Sequence, residues 1–245
     1  MIYMQPPMRH SACGASSIYF HCEPNQMQYL THLYHSLQHF IAPPLCAYCK
    51  RLLQERAPLC RTCLARVRPI VSQRLELTKN YAVPVFAISA YHEPIKSLVI
   101  AKSWSDIVAS SLLGELMWDM THVKHVPFDC IVPVPLHWTR YAYRGYNQAD
   151  EMAKVLSKKS GKPVAHLLAR GKRTPILAAF SSAQREQAVQ DAFYLTSKAE
   201  QYMGKHLLVV DDVLTTGATL KSALRVLRSC KPASITVIVA CRATR

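Results

Sequence analysis

The stretch Leu207 to Leu220, LLVVDDVLTTGATL, constrains the fold more than any other. Leu207, Leu208, Val209 and Val210 form an apolar run without alternation. Such a run suits a strand buried on both faces, as in a parallel sheet covered by helices. Asp211 and Asp212 then stand at the carboxyl end of that strand, where open α/β sheets bind ligands. The following residues, Leu214, Thr215, Thr216, Gly217, Ala218 and Thr219, offer consecutive N–H groups, hydroxyls and a glycine that permits close backbone approach. A loop of this kind opening a helix is an anion site. It has neither the lysine and glycine spacing of a P-loop nor the three-glycine dinucleotide fingerprint. Two acids repel an anion beside them but accept hydrogen bonds from adjacent hydroxyls, so a ribose with its 5-phosphate in the loop meets both demands. A buried strand, polar turn and capped helix would account for the apolar run and the glycine, but not for two acids in line.

The chain has 245 residues and 50% hydrophobic content, enough for one sizeable core and a smaller module. The formal net charge is +15, which favours partners bearing phosphate: nucleic acid, phosphorylated metabolites or an anionic membrane surface. There are 12 basic and 7 acidic residues before residue 129, and 18 and 8 from there on. The excess therefore belongs to both halves, although Lys50 to Arg74 is denser than either. The opening residues lack the apolar centre of a secretory signal, and no run reaches the ~20 apolar residues of a membrane span. The expectation is a soluble cytoplasmic protein.

Residues 1–27 show no periodicity and read as a disordered extension; the irregular spacing of Cys13 and Cys22 makes them free thiols in that tail. Residues 28–68 read as a helix followed by a cysteine module. In the helix, Leu30, Leu33, Leu37 and Ile41 follow helical spacing, with His35 and His39 on the polar face. Cys46, Cys49, Cys60 and Cys63 then form CAYC and CRTC ten residues apart. Two such knuckles place four thiolates around one Zn²⁺, a structural zinc ribbon with no open coordination position. A redox role is the alternative for either CxxC, and neither has the βαβ context for it. Arg51, Arg61, Arg66 and Arg68 lie in and just beyond this module. They suit either a phosphate backbone or a solvated basic surface.

Residues 69–82 read as a linker and 83–245 as an α/β domain. Strands are expected at 83–91, 129–135, 163–168 and 233–240, with helices at 93–102, 105–121, 148–159 and 219–229. The alternation implies a mostly parallel sheet flanked by helices. Between the second strand and its helix lies a basic loop, His137 to Tyr146, and Asn147 is placed to cap the helix. Tyr141, Tyr143 and Tyr146 interleave with Arg140 and Arg144, an arrangement open to base stacking or to local packing. The long connection 169–191 carries Arg170 and Arg185 and reads as a functional loop. Cys130, Cys230 and Cys241 lie in apolar segments, as buried thiols do.

The four-cysteine module, VPVPLHWTRYAYRGYNQA and LLVVDDVLTTGATL, in this order, resemble the competence protein F family (ComF/ComFC, GntX-like) from about Pro44 to the C-terminus. The last of these motifs resembles the PRPP signature of type I phosphoribosyltransferases. The resemblance implies a type I phosphoribosyltransferase fold with an N-terminal zinc ribbon. In it Asp211 and Asp212 take the ribose hydroxyls and Leu214 to Thr219 the 5-phosphate. Arg140 and Arg144 correspond to the pyrophosphate-binding loop, with Asn147 and Gln148 completing its motif, and Asn147 also readable as a helix cap alone. Lys102 matches a lysine after the first short helix, and Arg170 and Arg185 match arginines of the flexible loop. Leu177 and Ala188 stand where the family often has glutamine and asparagine. Mg²⁺ is implied to accompany PRPP and bridge its pyrophosphate and ribose oxygens, and Lys102, Arg140 and Arg144 are implied in catalysis.

The resemblance further implies a part in natural transformation: handling single-stranded DNA, with Arg51, Arg61, Arg66 and Arg68 as DNA contacts. The implied partner is a competence helicase or translocase at the inner membrane, to which the protein is held peripherally or not at all. A metabolic phosphoribosyltransferase and a PRPP-sensing regulator are the alternatives. The sequence names no acceptor.

Overall fold

The computed structural model describes residues 44–55, 57–101, 107–137, 141–143, 145–171 and 192–243. The expected extension and the helix over 28–41 lie outside the described residues. From Pro44 onward the chain is one compact unit.

A single five-stranded sheet organises it, in the order β1–β2–β7–β6–β3. The strands are β1 (Ile70–Thr78), β2 (Tyr81–Ala90), β3 (Cys130–Pro133), β6 (His206–Leu214) and β7 (Ser234–Arg242). β2, β7, β6 and β3 run parallel, so their carboxyl ends share one edge. β1 alone is antiparallel, closing a hairpin on β2. β4 (Leu168–Arg170) and β5 (Phe193–Leu195) pair separately as a two-stranded ribbon. The helices are α1 (Arg61–Leu64), α2 (Ile95–Ala101), α3 (Ile107–Met120), α4 (Gln148–Ser160) and α5 (Ala218–Arg228).

Each face of the sheet is covered, as the unbroken apolar strands require. On one face Leu207 and Val209 of β6 pack with Val85, Val132 and Val237 beneath Leu220, Ala223, Leu224 and Leu227 of α5. On the other, Leu208 and Val210 pack with Ile88, Ile131 and Ile238 beneath Leu113 and Met117 of α3 and Met152 and Leu156 of α4. A Cβ on Gly114 of α3 would lie 2.9 Å from the Val155 side chain of α4 and 3.1 Å from the Met152 carbonyl oxygen. Glycine there is what lets the two helices approach. Asn147 caps α4 as expected: its side chain accepts from the Ala149 N–H, and Gly161 ends the helix at φ +71°.

Two expectations are corrected. Residues 69–82 are not a linker, because residues 70–78 form the edge strand β1, paired from Ile70↔Ala87 to Thr78↔Tyr81. Its Arg74-Leu75-Glu76-Leu77 alternates exposed charge with leucines that turn inward. That is the polar-out pattern of an edge strand, and its charges gave it the look of a connection. The strand expected at 163–168 reduces to one bridge, Val164 to Ile131, and regular pairing begins only at Leu168.

At the amino edge of the sheet, Asp129 ties β3 to β6 through its carboxylate, which accepts from the His206 N–H at 2.8 Å. That bond, with Lys205, His206 and Lys162 nearby, holds the carboxyl below its usual range despite some desolvation. A lowered folded value means stability present at neutral pH and lost as pH falls through it. Asp129→Asn should therefore lower the urea midpoint at pH 7, and the gap to the parent should close on acidification; a gap constant with pH would count against this role.

Candidate functional site

Pairing between β3 and β6 ends at Pro133↔Val210, with a last bond from Val134 N–H to the Val210 carbonyl. β6 continues along β7 alone, from Asp211↔Val239 to Leu214↔Arg242. Asp211 and Asp212 thus sit where one neighbour has fallen away. Upstream, odd positions pack with the first face and even positions with the second; downstream Val213 joins the second and Leu214 the first. The alternation slips by one across the two aspartates. There the Asp211 carboxylate accepts from the Asp212 N–H at 2.9 Å and the Asp212 carboxylate from the Val213 N–H at 2.5 Å.

Thr215 and Thr216 turn the chain into Gly217, the N-cap of α5, at φ +80°. That conformation favours glycine, and a Cβ here would also meet Leu75 of β1 at 2.9 Å. The first helical bond runs from Lys221 N–H to the Gly217 carbonyl at 2.7 Å, leaving the amino end of α5 directed at the strand edge. Leu214 and Ala218 are buried, while Thr215 is exposed and Thr216 and Thr219 are half-buried. The loop therefore offers hydroxyls and N–H groups over an apolar base.

Asp211, Asp212 and Thr219 line a cleft of ≈ 180 Å³ with Val134, Pro135, Asn147, Gln148 and Arg170. Among these described residues the two aspartates are the acids, hard oxygen donors of the kind that accompany Mg²⁺. Asn147 is consumed by the fold: Nδ2 donates to the Val134 carbonyl at 3.1 Å while Oδ1 accepts from Ala149. Arg170, expected within the flexible loop, is the last residue of β4, its guanidinium 5.1 Å from the Phe193 ring centroid. Burial raises the Asp150 carboxyl one turn into α4, against the opposing effect of His166. Tyr91, after β2, is raised by burial and by the charges of Cys241, Glu93 and Asp212, which puts it within the electrostatic reach of the aspartates. Lys102, Arg140, Arg144 and Arg185, like Leu177 and Ala188, lie outside the described residues.

The expected cysteines do come together: the four sulfurs of Cys46, Cys49, Cys60 and Cys63 lie within 4.8 Å of one another. A tetrahedral zinc with Zn–S bonds of about 2.3 Å needs sulfurs about 3.8 Å apart, and Cys49 and Cys60 are 3.8 Å apart. The knuckles are shaped for a metal. Lys50 N–H returns to the Cys46 carbonyl at 2.9 Å with Lys50 at φ +60°, and the Cys60 N–H points at the Cys46 sulfur at 3.3 Å. Burial would push the Cys46 thiol up, but N–H groups of Cys60, Cys49 and Tyr48 outweigh it and bring it to about 6. Chiefly the Cys63 N–H lowers Cys60, whereas Cys63 is pushed up to about 12 by burial and its three sulfur neighbours. Such a divided set becomes four thiolates only around a cation.

The module is not a free appendage. Cys46, Leu59, Cys60, Cys63 and Val67 share the second core with Ile88, Ile95 and Leu98. Arg51, Arg61, Arg66 and Arg68 are all exposed. Arg66 and Arg68 border a second cleft, ≈ 440 Å³, with Ile70, Ser89, Ala90 and His92 at the carboxyl end of β2. Ala90 pairs with Arg242, and Arg242 with Leu214. Two strand spacings, about 10 Å, therefore separate this cleft's edge from the end of β6.

A parallel sheet whose strand ends in paired aspartates, followed by a glycine-capped helix, defines a phosphoribosyltransferase-type domain, and the phosphoribosyl transferase domain family matches residues 142–245. The Haemophilus influenzae competence protein F is 31% identical over 193 residues, 76% of this chain and 79% of its own length. The Escherichia coli K12 DNA utilization protein YhgH is 26% identical, over 81% of this chain and 90% of its own. Among solved structures, the B. subtilis glutamine phosphoribosylpyrophosphate amidotransferase with ADP and GMP is 19% identical over 56% of this chain and 26% of its own, at a TM-score of 0.38. This chain belongs to the competence protein F family and carries a type I phosphoribosyltransferase domain. Among the described residues, no helix is long and apolar enough to cross a membrane.

Elemental analysis of the purified protein should find one zinc per chain. Cys63→Ser should abolish it and lower Tm by about 10 °C or more, since metal binding here is folding energy. Full stability without metal would remove the structural role.

Proposed function

We propose that this protein binds PRPP with Mg²⁺ and acts in natural transformation by handling single-stranded DNA. The observation that carries the PRPP part is the sequence of Asp211, Asp212 and the Gly217 turn at one strand end, with the amino end of α5 beyond it. The aspartates accept hydrogen bonds from the ribose hydroxyls, and residues 214–219 donate to the 5-phosphate. Asp211 and Asp212 are the acids that would stand beside a Mg²⁺ accompanying PRPP, and such an ion would supply neutralising charge for the pyrophosphate. Lys102, Arg140 and Arg144 supply the remaining cations for that leaving group, joined by Arg185 and by Arg170, which lines the cleft from the end of β4. Transfer would break the C1–pyrophosphate bond and join C1 to an acceptor. Its cationic transition state asks the protein chiefly to hold the phosphates in place.

The DNA part is supported by the names of the H. influenzae and E. coli relatives, by the net charge of +15, and by Arg66 and Arg68 bordering a cleft on the ligand-binding edge of the sheet. Arg51 and Arg61 extend that basic surface over the zinc module. The setting is cytoplasmic or peripheral at the inner membrane, beside a DNA helicase or translocase.

Calorimetry should show PRPP binding that requires Mg²⁺ and disappears in the Asp211→Ala, Asp212→Ala variant. No heat with the parent protein would remove the site assignment. A deletion strain complemented with the double variant should remain transformation-deficient. Replacing Arg61, Arg66 and Arg68 by alanine should weaken single-stranded DNA binding and reduce the slope of log K against log salt by about 2, at ~0.7 per phosphate contact; an unchanged slope would remove these arginines from the interface. Pyrophosphate release from PRPP, followed with candidate acceptors including DNA, separates a transferase from a protein that only senses PRPP.

A further inference from the structure

The amino edge of the sheet, opposite the aspartates, carries a cleft that the functions above leave unused. Its volume is ≈ 280 Å³, and Trp118, Lys124, Phe128, Lys162 and His206 line it, with Asp129 as the acid among its lining residues. From His206 to Asp211, β6 runs about 17 Å at ~3.3 Å per residue, so this cleft is separate from the one at the aspartates. Its aromatic and cationic parts are held by the fold. Trp118, near the end of α3, is half-buried against the second core, and Phe128 is buried within it. Lys124 rides on a short helical turn, His122–His125, which Thr121 pins by donating to the Met117 carbonyl at 2.6 Å and accepting from the Val123 N–H at 3.3 Å. Lys162 follows the Gly161 cap of α4 and is fastened on both sides: its N–H donates to Ser160 Oγ at 3.2 Å, and its carbonyl accepts from Ser157 Oγ at 2.7 Å. Ser234 Oγ holds the His206 ring, 2.7 Å from Nδ1. Lys124 and Lys162 are exposed, and among the described residues neither forms an ion pair. Asp129 does not cancel them, because the His206 N–H takes one of its carboxylate oxygens. Alongside that bond, Lys205, His206 and Lys162 help to hold its carboxyl low, a mark of positive potential at this edge.

We infer that this cleft binds a nucleotide of single-stranded DNA, with its base stacked on Trp118 and the flanking phosphates on Lys124 and Lys162. The inference rests on the DNA half of the proposed function and gives it a second contact, at the edge of the sheet away from Arg66 and Arg68. An aromatic face beside unpaired ammonium groups suits a single strand, because every base offers a π-face and every residue a phosphate. The basic surface also extends beyond one nucleotide. Lys205 precedes β6 and Lys231 leads into β7, and the two loops are tied by bonds from the Gly204 N–H to the Lys231 carbonyl and from the Ala233 N–H to the Lys205 carbonyl. Cations therefore continue along the edge in the strand order β3, β6, β7, as a chain of phosphates requires and a free nucleotide does not. A membrane surface fits less well, since Trp118 lines a recess where insertion into lipid needs a projecting ring.

The experiment measures binding of a fluorescent oligothymidylate to the full-length protein by anisotropy over a range of salt. It compares the parent, the Lys124→Ala, Lys162→Ala double variant, Trp118→Leu and Trp118→Phe, with urea unfolding of each in the absence of DNA. Removing both lysines should leave the urea midpoint near the parent's and lower the slope of log K against log salt by about 1.4, at ~0.7 per phosphate contact. Trp118→Leu should weaken binding about 10-fold, and Trp118→Phe, which keeps a ring to stack on, by less. An unchanged slope in the lysine variant overturns the inference while leaving the DNA reading to the arginines, and it decides the case even where Trp118→Leu fails to fold. Equal losses in Trp118→Leu and Trp118→Phe, with the urea midpoint lowered in both, overturn the stacking contact by showing that the role is packing. Thymidine monophosphate and vesicles containing phosphatidylglycerol serve as the other two probes. A loss confined to either, with the oligonucleotide bound as by the parent, overturns the inference in favour of a free nucleotide or a lipid surface. If the parent binds no oligonucleotide, the DNA reading fails first and this inference with it.

Discussion

The site exists because β6 loses one of its two neighbours before it ends. From Leu207 to Val210 the strand is paired on both sides and its residues are at most 1% exposed, a setting that tolerates no unpaired polar group. Past Val210 the β3 side opens, while β7 continues to hold the chain as far as Leu214. Two carboxylates can stand there because water or ligand reaches them, and their positions are fixed because the backbone remains half-paired. The slip in alternation at Asp211 and Asp212 belongs to the same transition, and the helix beginning at Ala218 follows from it.

What was legible in the sequence was local. The apolar run, the two acids, the glycine turn and the CxxC pairs each lie within a few residues, and each is placed by the periodicity or geometry that announces it. What was not legible depends on distant partners. β1 reads as a linker because its charges are visible in sequence and its pairing with β2 is not. The strand expected at 163–168 gave way to a pairing 25 residues on, with β5. Arg170 falls on β4, paired with Phe193, for the same reason. Asn147 could be read from the sequence as a helix cap, but its second bond, to the Val134 carbonyl at the end of β3, could not.

The cysteine module shows how a small, charged segment is made part of a larger fold. Its interior cysteines, with Leu59 and Val67, complete a core that the α/β helices begin, while its arginines remain outside. Apolar burial and the clustering of the four sulfurs give it its shape, and its charges stay at the surface. The result sets the exposed Arg66 and Arg68 beside the carboxyl end of β2, a placement that composition alone did not specify.

Leu75 of β1 lies so close over Gly217 that a Cβ there would come within 2.9 Å of it, so the edge strand covers the turn that opens α5. Because β1 follows the zinc module after only a few residues, the boundary that a sequence pattern suggests at residue 83 would cut through the machinery rather than beside it. A piece beginning there would lack the strand that borders β2 and the leucine that fills the space over the turn. The α/β unit therefore reaches back to β1, and the cysteine module, which shares its second core, is its anchor as much as its neighbour.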